Sequence, residues 1–311
     1  MTTRMGWTFA IGLMLALAAA VGLALRGART ASAGDIAGEP EPPTGPLTVT
    51  WSPEIPVQGR LFVVRVTAPE ASRVSGLTGR VAEEELHLDR TADGFFESLA
   101  AVPVDAEGFL IVAVEAIYED GARAEGSAEI PVSPGSFSHE RLTVAPRFGS
   151  PLDSADQARL ERDQEKAREV SRQAHLSPRI WGPAVVPPRD DRVTSGFGNG
   201  REFNGQISSR HLGLDLDGEP GDTVVAAARG VVALVDSFLL AGNIVYLNHG
   251  AGLLSGYFHL SEALVARGDT VEPGSPIGRV GATGRVTGPH LHWVVRYGQT
   301  SVDPRSLLDV R

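Results

Sequence analysis

Two short motifs in the last third of the chain hold residues whose types and spacing suit metal chemistry. They are His211-Leu212-Gly213-Leu214-Asp215 and His290-Leu291-His292. A lone histidine, His259, lies between them in Tyr257-Phe258-His259-Leu260. In a strand, residues i, i+2 and i+4 face the same way. His211 and Asp215 are therefore expected on one face, as are His290 and His292, with Leu212, Leu214 and Leu291 turned into a core. Two antiparallel strands so arranged bring imidazoles and a carboxylate to one point. The set His211, Asp215 and His292 suits a single zinc ion, which in catalytic sites takes three protein ligands and water. Hydrolysis then needs a base near the water and a donor to the developing oxyanion. His259 and His290 remain for those two roles.

The rest of the composition narrows the chemistry. There is no cysteine, which excludes disulfides, thiolate ligands and a cysteine nucleophile. A formal net charge of -10 argues against nucleic acid as a partner and against a polybasic membrane patch. With 36 Gly, 21 Pro and only 6% aromatic residues, the chain suits short strands and turns, so a mainly β protein is expected.

Stepping along the chain, residues 1–33 contain Arg4, an apolar run from Met5 to Leu25, and Ala31-Ser32-Ala33. This reads as a signal peptide or a single N-terminal membrane anchor. The expected location is outside the cytoplasm, in the periplasm or cell envelope, secreted or anchored. Residues 34–45 read as a flexible spacer. Residues 46–133 alternate short β-prone runs with turns and suggest an immunoglobulin-like β-sandwich. Within it, Glu83-Glu84-Glu85 reads as a solvated edge and His87 as an outward or satisfied strand residue. Residues 134–190 read as a connector with one exposed helix, opened by a capping box at Ser154 and laced by Glu165/Arg168 and Glu169/Arg172 pairs. His139 and His175 are expected on its surface, and the helix is placed to cover a groove in the following domain. Residues 191–311 return to strand and turn, with His249 as a structural residue.

The stretch from about Arg192 to Asp303 resembles the M23 family of zinc metallopeptidases, the lysostaphin- or LytM-like peptidoglycan endopeptidases. The resemblance rests on Ser195-Gly196-Phe197-Gly198, both histidine motifs, residues 219–226, Gly268-Asp269-Thr270-Val271 and Gly281-Ala282-Thr283-Gly284. It implies a C-terminal antiparallel β metallopeptidase domain with a groove. It implies one zinc ion on His211, Asp215 and His292, with His259 and His290 acting on water and transition state. The implied substrate is a peptide of bacterial peptidoglycan. Lysostaphin-type members carry a tyrosine shortly before the first ligand; residues 205–210 hold none, which leaves Asn204 and Arg210 as candidates for its role. The alternative is a non-catalytic cell-wall-binding or hydrolase-activating protein on the same fold.

Overall fold

The structure, a computed structural model, describes residues 45–146, 151–205 and 207–310. The segment 1–33, read as signal peptide or anchor, lies outside the described residues, as does the spacer up to residue 44. Among the described residues no helix is long and apolar enough to cross a membrane.

The protein is mostly β, built on antiparallel sheets. Four strands lead: β1 (Thr48–Ser52), β2 (Leu61–Thr67), β3 (Val74–Val81) and β4 (Glu84–Glu85). Four follow: β5 (Asp89–Arg90), β6 (Phe96–Ala101), β7 (Phe109–Tyr118) and β8 (Arg123–Pro131). They form two sheets of order β1-β2-β6-β5 and β4-β3-β7-β8. Alternate residues of β2 and β7, such as Phe62, Val64, Val112 and Val114, meet in one core between the sheets. The two antiparallel sheets thus share one apolar core.

The connector holds β9 (His139–Leu142) and α1 (Ser154–His175). Asp153, not Ser154, caps α1: its carboxylate accepts from the N–H groups of Ala155 and Asp156. Seven short or medium strands come next: β10 (Val193–Ser195), β11 (Gly200–Phe203), β12 (Ile207–Arg210), β13 (Leu214–Asp217), β14 (Thr223–Val225), β15 (Gly230–Phe238) and β16 (Gly242–Gly250). The chain ends with β17 (Leu253–Leu260), β18 (Glu262–Ala263), β19 (Thr270–Val271), β20 (Pro276–Arg279), β21 (His290–Tyr297), β22 (Thr300–Val302) and α2 (Arg305–Asp309). Its main sheet runs β10-β13-β21-β17-β16-β15-β19, with β22 beside β21. One face of that sheet packs Leu214, Tyr257, Leu291, Trp293 and Val295 into a core that reaches Leu61 and Ala101 of the sandwich.

α1 does not cover a groove. Its Val170 packs with Phe238, Ile244, Tyr246 and Leu254 of β15–β17, and Asp163 accepts the N–H of Leu239 at 2.7 Å. The connector reaches the groove by β9 instead, which pairs in parallel with β11.

Two expectations about charged residues change at the junction of sandwich and C-terminal sheet. Glu84 is 5% exposed, not a solvated edge. Its carboxylate accepts from the N–H groups of Gln299 and Thr300, from the Thr300 hydroxyl, and from His175. His175 is half-buried between Glu84 and His87, whose Nε2 lies 2.8 Å from His175 Nδ1. Tyr297 donates its hydroxyl to Glu85 O at 2.7 Å in the same junction. Burial opposes the charged form of Glu84, but these bonds outweigh it and hold its carboxyl below the ordinary value of 4.5. A carboxyl depressed in the folded state stabilises fully above its unfolded pKa and loses that contribution as pH falls through the folded value. Denaturant titration of the full chain is therefore expected to show a loss on acidification below pH 4.5. At neutral pH, Glu84→Ala is expected to cost about 3 kcal/mol, since it leaves buried donors unpaired.

Candidate functional site

The two motifs meet across one strand pair. In the β13–β21 ladder Asp215 lies directly opposite His292, and Asp217 opposite His290. Residues opposite each other in an antiparallel pair share a face, so both polar side chains leave the same side of the sheet. Leu214 and Leu291 fill the other side, at 2% and 0% exposure. His211 arrives differently from the expected strand alternation. It lies beyond the end of β12, and Leu212 is 40% exposed. Its backbone is pinned by two hydrogen bonds to the segment before β11, His211 N to Asn199 O and Gly198 N to His211 O. Gly213 lets the chain pass close beneath His292: a Cβ there would stand 2.5 Å from the ring and 2.8 Å from Trp293 O.

The result is a tight cluster. His211 Nε2 lies 3.0 Å from Asp215 Oδ1 and 2.9 Å from His292 Nδ1, and His292 Nδ1 lies 2.7 Å from Asp215 Oδ1. His211 donates its Nδ1–H to Gly196 O at 2.7 Å, which leaves the Nε2 lone pair directed into the cluster. With neutral rings, only His292 Nδ1 can then carry a proton among the three atoms. His211 Nε2 and Asp215 Oδ1 face each other as two acceptors, an arrangement that a cation between them relieves. Two imidazoles and a carboxylate are donors suited to a divalent transition metal.

Electrostatics favour the ligand-ready forms. Burial opposes ionised Asp215, yet the hydrogen bonds and charge interactions with His211 and His292 hold its carboxyl well below the usual range. Burial pushes His292 down to about 4, against the pull of Asp215.

A further group of side chains holds the ligands from outside. Arg201 donates to Asp215 Oδ2 and to Ser195 Oγ. Glu140, on β9, takes hydrogen bonds from Arg201 Nε (3.1 Å), Ser195 Oγ (2.7 Å) and Asn199 Nδ2 (2.7 Å). Ser195 Oγ in turn lies 3.2 Å from His211 Nδ1. One carboxylate from the connector thus braces both His211 and Asp215. Sequence reading missed Glu140, because nothing within β9 marks it.

His259 and His290 flank the cluster. Their rings are 4.9 Å apart, and His259 is 5.8 Å from His292. Each donates its Nδ1–H to a carbonyl at 2.8 Å, His259 to Thr283 O and His290 to Gly288 O. Both Nε2 lone pairs are therefore free; that of His290 lies 3.6 Å from Asp215 Oδ1. His259 has φ 63, a left-handed conformation that departs from strand alternation, and its ring lies beside His292, as does that of the preceding Phe258. Burial, with His292 and His290 nearby, pushes His259 well below its ordinary pKa.

A cleft of roughly 490 Å³ opens over these groups, lined by Glu140, Arg201, Asp215, His259, Arg285 and His290 among others. No residue of α1 lines it. Of the two stand-ins for the missing tyrosine, Asn204 is spent on the connector, bonded to both N–H and C=O of Val144. Arg210 donates to Gly198 O and lies over the Phe137 ring, beside a smaller cavity next to His211. His249 is buried at 0% exposure and bonded to Arg229 O and Ser255 Oγ, a structural residue as expected.

An antiparallel β domain with a His–Asp–His cluster at the base of a cleft defines a class of metal-site proteins. Residues 209–304 match the model for Peptidase family M23. Over 118 residues the chain is 38% identical to the peptidoglycan DD-endopeptidase ShyC of Vibrio cholerae, covering 37% of this chain and 27% of that one. Over 97 residues it is 40% identical to the DD-carboxypeptidase/endopeptidase Mpg of Neisseria meningitidis, covering 31% and 22%. The chain thus spans about a quarter of the length of these relatives. A Pseudomonas aeruginosa crystal structure named for peptidase M23 aligns with TM-score 0.62 at 24% identity, over 81% of this chain and 95% of that one. That likeness bears on the fold, and extends it beyond the C-terminal domain to most of the chain.

Proposed function

We propose that this chain is a zinc-dependent endopeptidase that hydrolyses peptide bonds of bacterial peptidoglycan in the cell envelope. The observation that carries the reading is the convergence of His211 Nε2, Asp215 Oδ1 and His292 Nδ1 beside two imidazoles with free Nε2 atoms. His211, Asp215 and His292 would hold one zinc ion. When bound, zinc supplies Lewis-acid polarisation of a peptide carbonyl and acidifies water. His259 and His290 move the protons. Each ring is fixed by its Nδ1–H bond, so its Nε2 is aimed and ready to accept a proton from attacking water. The ring that has taken the proton can then deliver it to the leaving amine nitrogen. Arg201 and Glu140 hold Asp215 and His211 in place and take no part in proton transfer. The similarity to named peptidoglycan endopeptidases supports the substrate class. The non-catalytic alternative needs neither free imidazole, and both are present with aimed Nε2 atoms.

Digestion of purified peptidoglycan by the full chain, with and without chelator, tests this. Release of peptides is expected only when zinc is present; undiminished release after complete zinc removal would rule the mechanism out. The pH profile gives a second check. Because burial holds His292 near 4 and His259 well down, both rings stay neutral through neutral pH. The acid limb of kcat/KM that His259 sets is therefore expected at lower pH than an unperturbed histidine would place it.

A further inference from the structure

Arg285 stands apart among the charged groups of the cleft. The other cations there are matched. Arg201 faces Glu140 and Asp215, and Arg141 at the rim lies 3.6 Å from Glu202. Among the described residues, no carboxylate lies within ion-pair distance of Arg285 and its guanidinium makes no hydrogen bond. Instead it lies 4.0 Å over the centre of the buried Phe203 ring. That attraction holds the planar cation flat and leaves its N–H edges unpaired. Burial, and Arg201 beside it, lower its pKa, as for any cation kept from water without a counter-ion.

The backbone fixes where this side chain emerges. Gly284 has φ 79 and packs so closely on residues 240–242 that a Cβ would stand 2.5 Å from Gly242 N and Leu240 O. Arg285 N–H donates to Leu240 O at 2.8 Å. Two residues earlier, Thr283 O holds the His259 ring. The same turn therefore sets an imidazole and an unmatched cation on one wall of the cleft.

Resting on the reading of the substrate as a cell-wall peptide, we propose that Arg285 binds a free carboxylate of the substrate beside the scissile peptide bond. A cell-wall peptide with a free carboxylate beside its scissile amide would present the matching anion. A planar guanidinium with open edges accepts a carboxylate in two-pronged fashion, which also fixes its orientation. The bound carboxylate matches the cation that no carboxylate among the described residues compensates. Arg285 acts in this way on which peptides bind and how they lie, and the imidazoles act on the protons.

The test uses the zinc-loaded full chain and short cross-linked peptides, each made with a carboxylate or a carboxamide on one side or the other of the scissile amide. Wild-type protein is expected to favour one carboxylate form over its carboxamide by about 10- to 100-fold in kcat/KM. Arg285→Gln is expected to abolish that preference while still cutting the carboxamide. Arg285→Lys, which keeps charge without the fork, should retain part of it. Calorimetric binding of the same peptides gives a readout independent of cleavage. No preference in wild type, or a preference that survives Arg285→Gln, overturns the assignment even where peptidoglycan is digested. If wild-type protein digests no peptidoglycan, the peptidase reading fails and calorimetry decides Arg285 alone. There, carboxylate binding lost in Arg285→Gln supports the subsite, and equal binding of both forms overturns it.

Discussion

His290→Ala in the full chain is expected to lower kcat on peptidoglycan peptides by about 10³-fold while zinc stays bound, the size of effect that loss of a positioned acid–base group has. The reason lies in geometry. His290 Nε2 is 3.6 Å from Asp215 Oδ1, at the edge of the ligand cluster, whereas the three mutually closest atoms belong to His211, Asp215 and His292. Its Nδ1–H bond to Gly288 O fixes the ring, so alanine removes an aimed group and disturbs little else. Zinc content and kcat measured on one preparation separate the two kinds of role. Loss of metal together with activity would make His290 a ligand. A kcat within tenfold of wild type would remove it from the proton-transfer path.

The second large effect is expected from Glu140, which lies outside the family-matched stretch of residues 209–304. Glu140→Ala is expected to weaken zinc binding by about 10- to 100-fold, the range found when outer partners of metal ligands are removed. Without this carboxylate, Ser195, Asn199 and Arg201 lose a shared acceptor. Ser195 then no longer braces His211, and Arg201 is free to swing from Asp215. Competition with a chromophoric chelator measures the affinity, and thermal unfolding checks that the chain remains folded. Glu140→Gln, which keeps the shape and one acceptor oxygen, should fall between the two. Unchanged zinc affinity in a folded Glu140→Ala protein would show that Arg201 and Ser195 hold the ligands unaided. The same bracing implies that residues 191–311 alone, lacking β9, bind zinc more weakly than the full chain.

The sequence marked the five polar positions of the cleft because polar side chains interrupting apolar strands are locally visible. Asp215 and His292 follow from period-two alternation: each sits between buried apolar residues, and the two lie opposite each other across β13 and β21. Strands β2, β6 and β7 were legible from apolar runs punctuated by turns, whereas the run 85–88 is not a strand beyond Glu85. His211 was legible as a ligand type but not in its route. Strand alternation would bury Leu212, whereas backbone bonds to residues 198 and 199 leave Leu212 in solvent.

Local sequence carries the inventory: two motifs, no thiols, a mainly β chain, and histidines and a carboxylate at spacings able to converge. Tertiary structure alone decided which atoms converge and what braces them. The left-handed turn at His259 depends on where its N–H finds Ala241 O. Glu84 is buried because residues 299 and 300 lie against it, and Glu140 faces the cleft because β9 pairs with β11. Each of these contacts joins residues far apart along the chain, and such contacts form only when burial and hydrogen bonding across the whole fold bring them together; no local pattern encodes them.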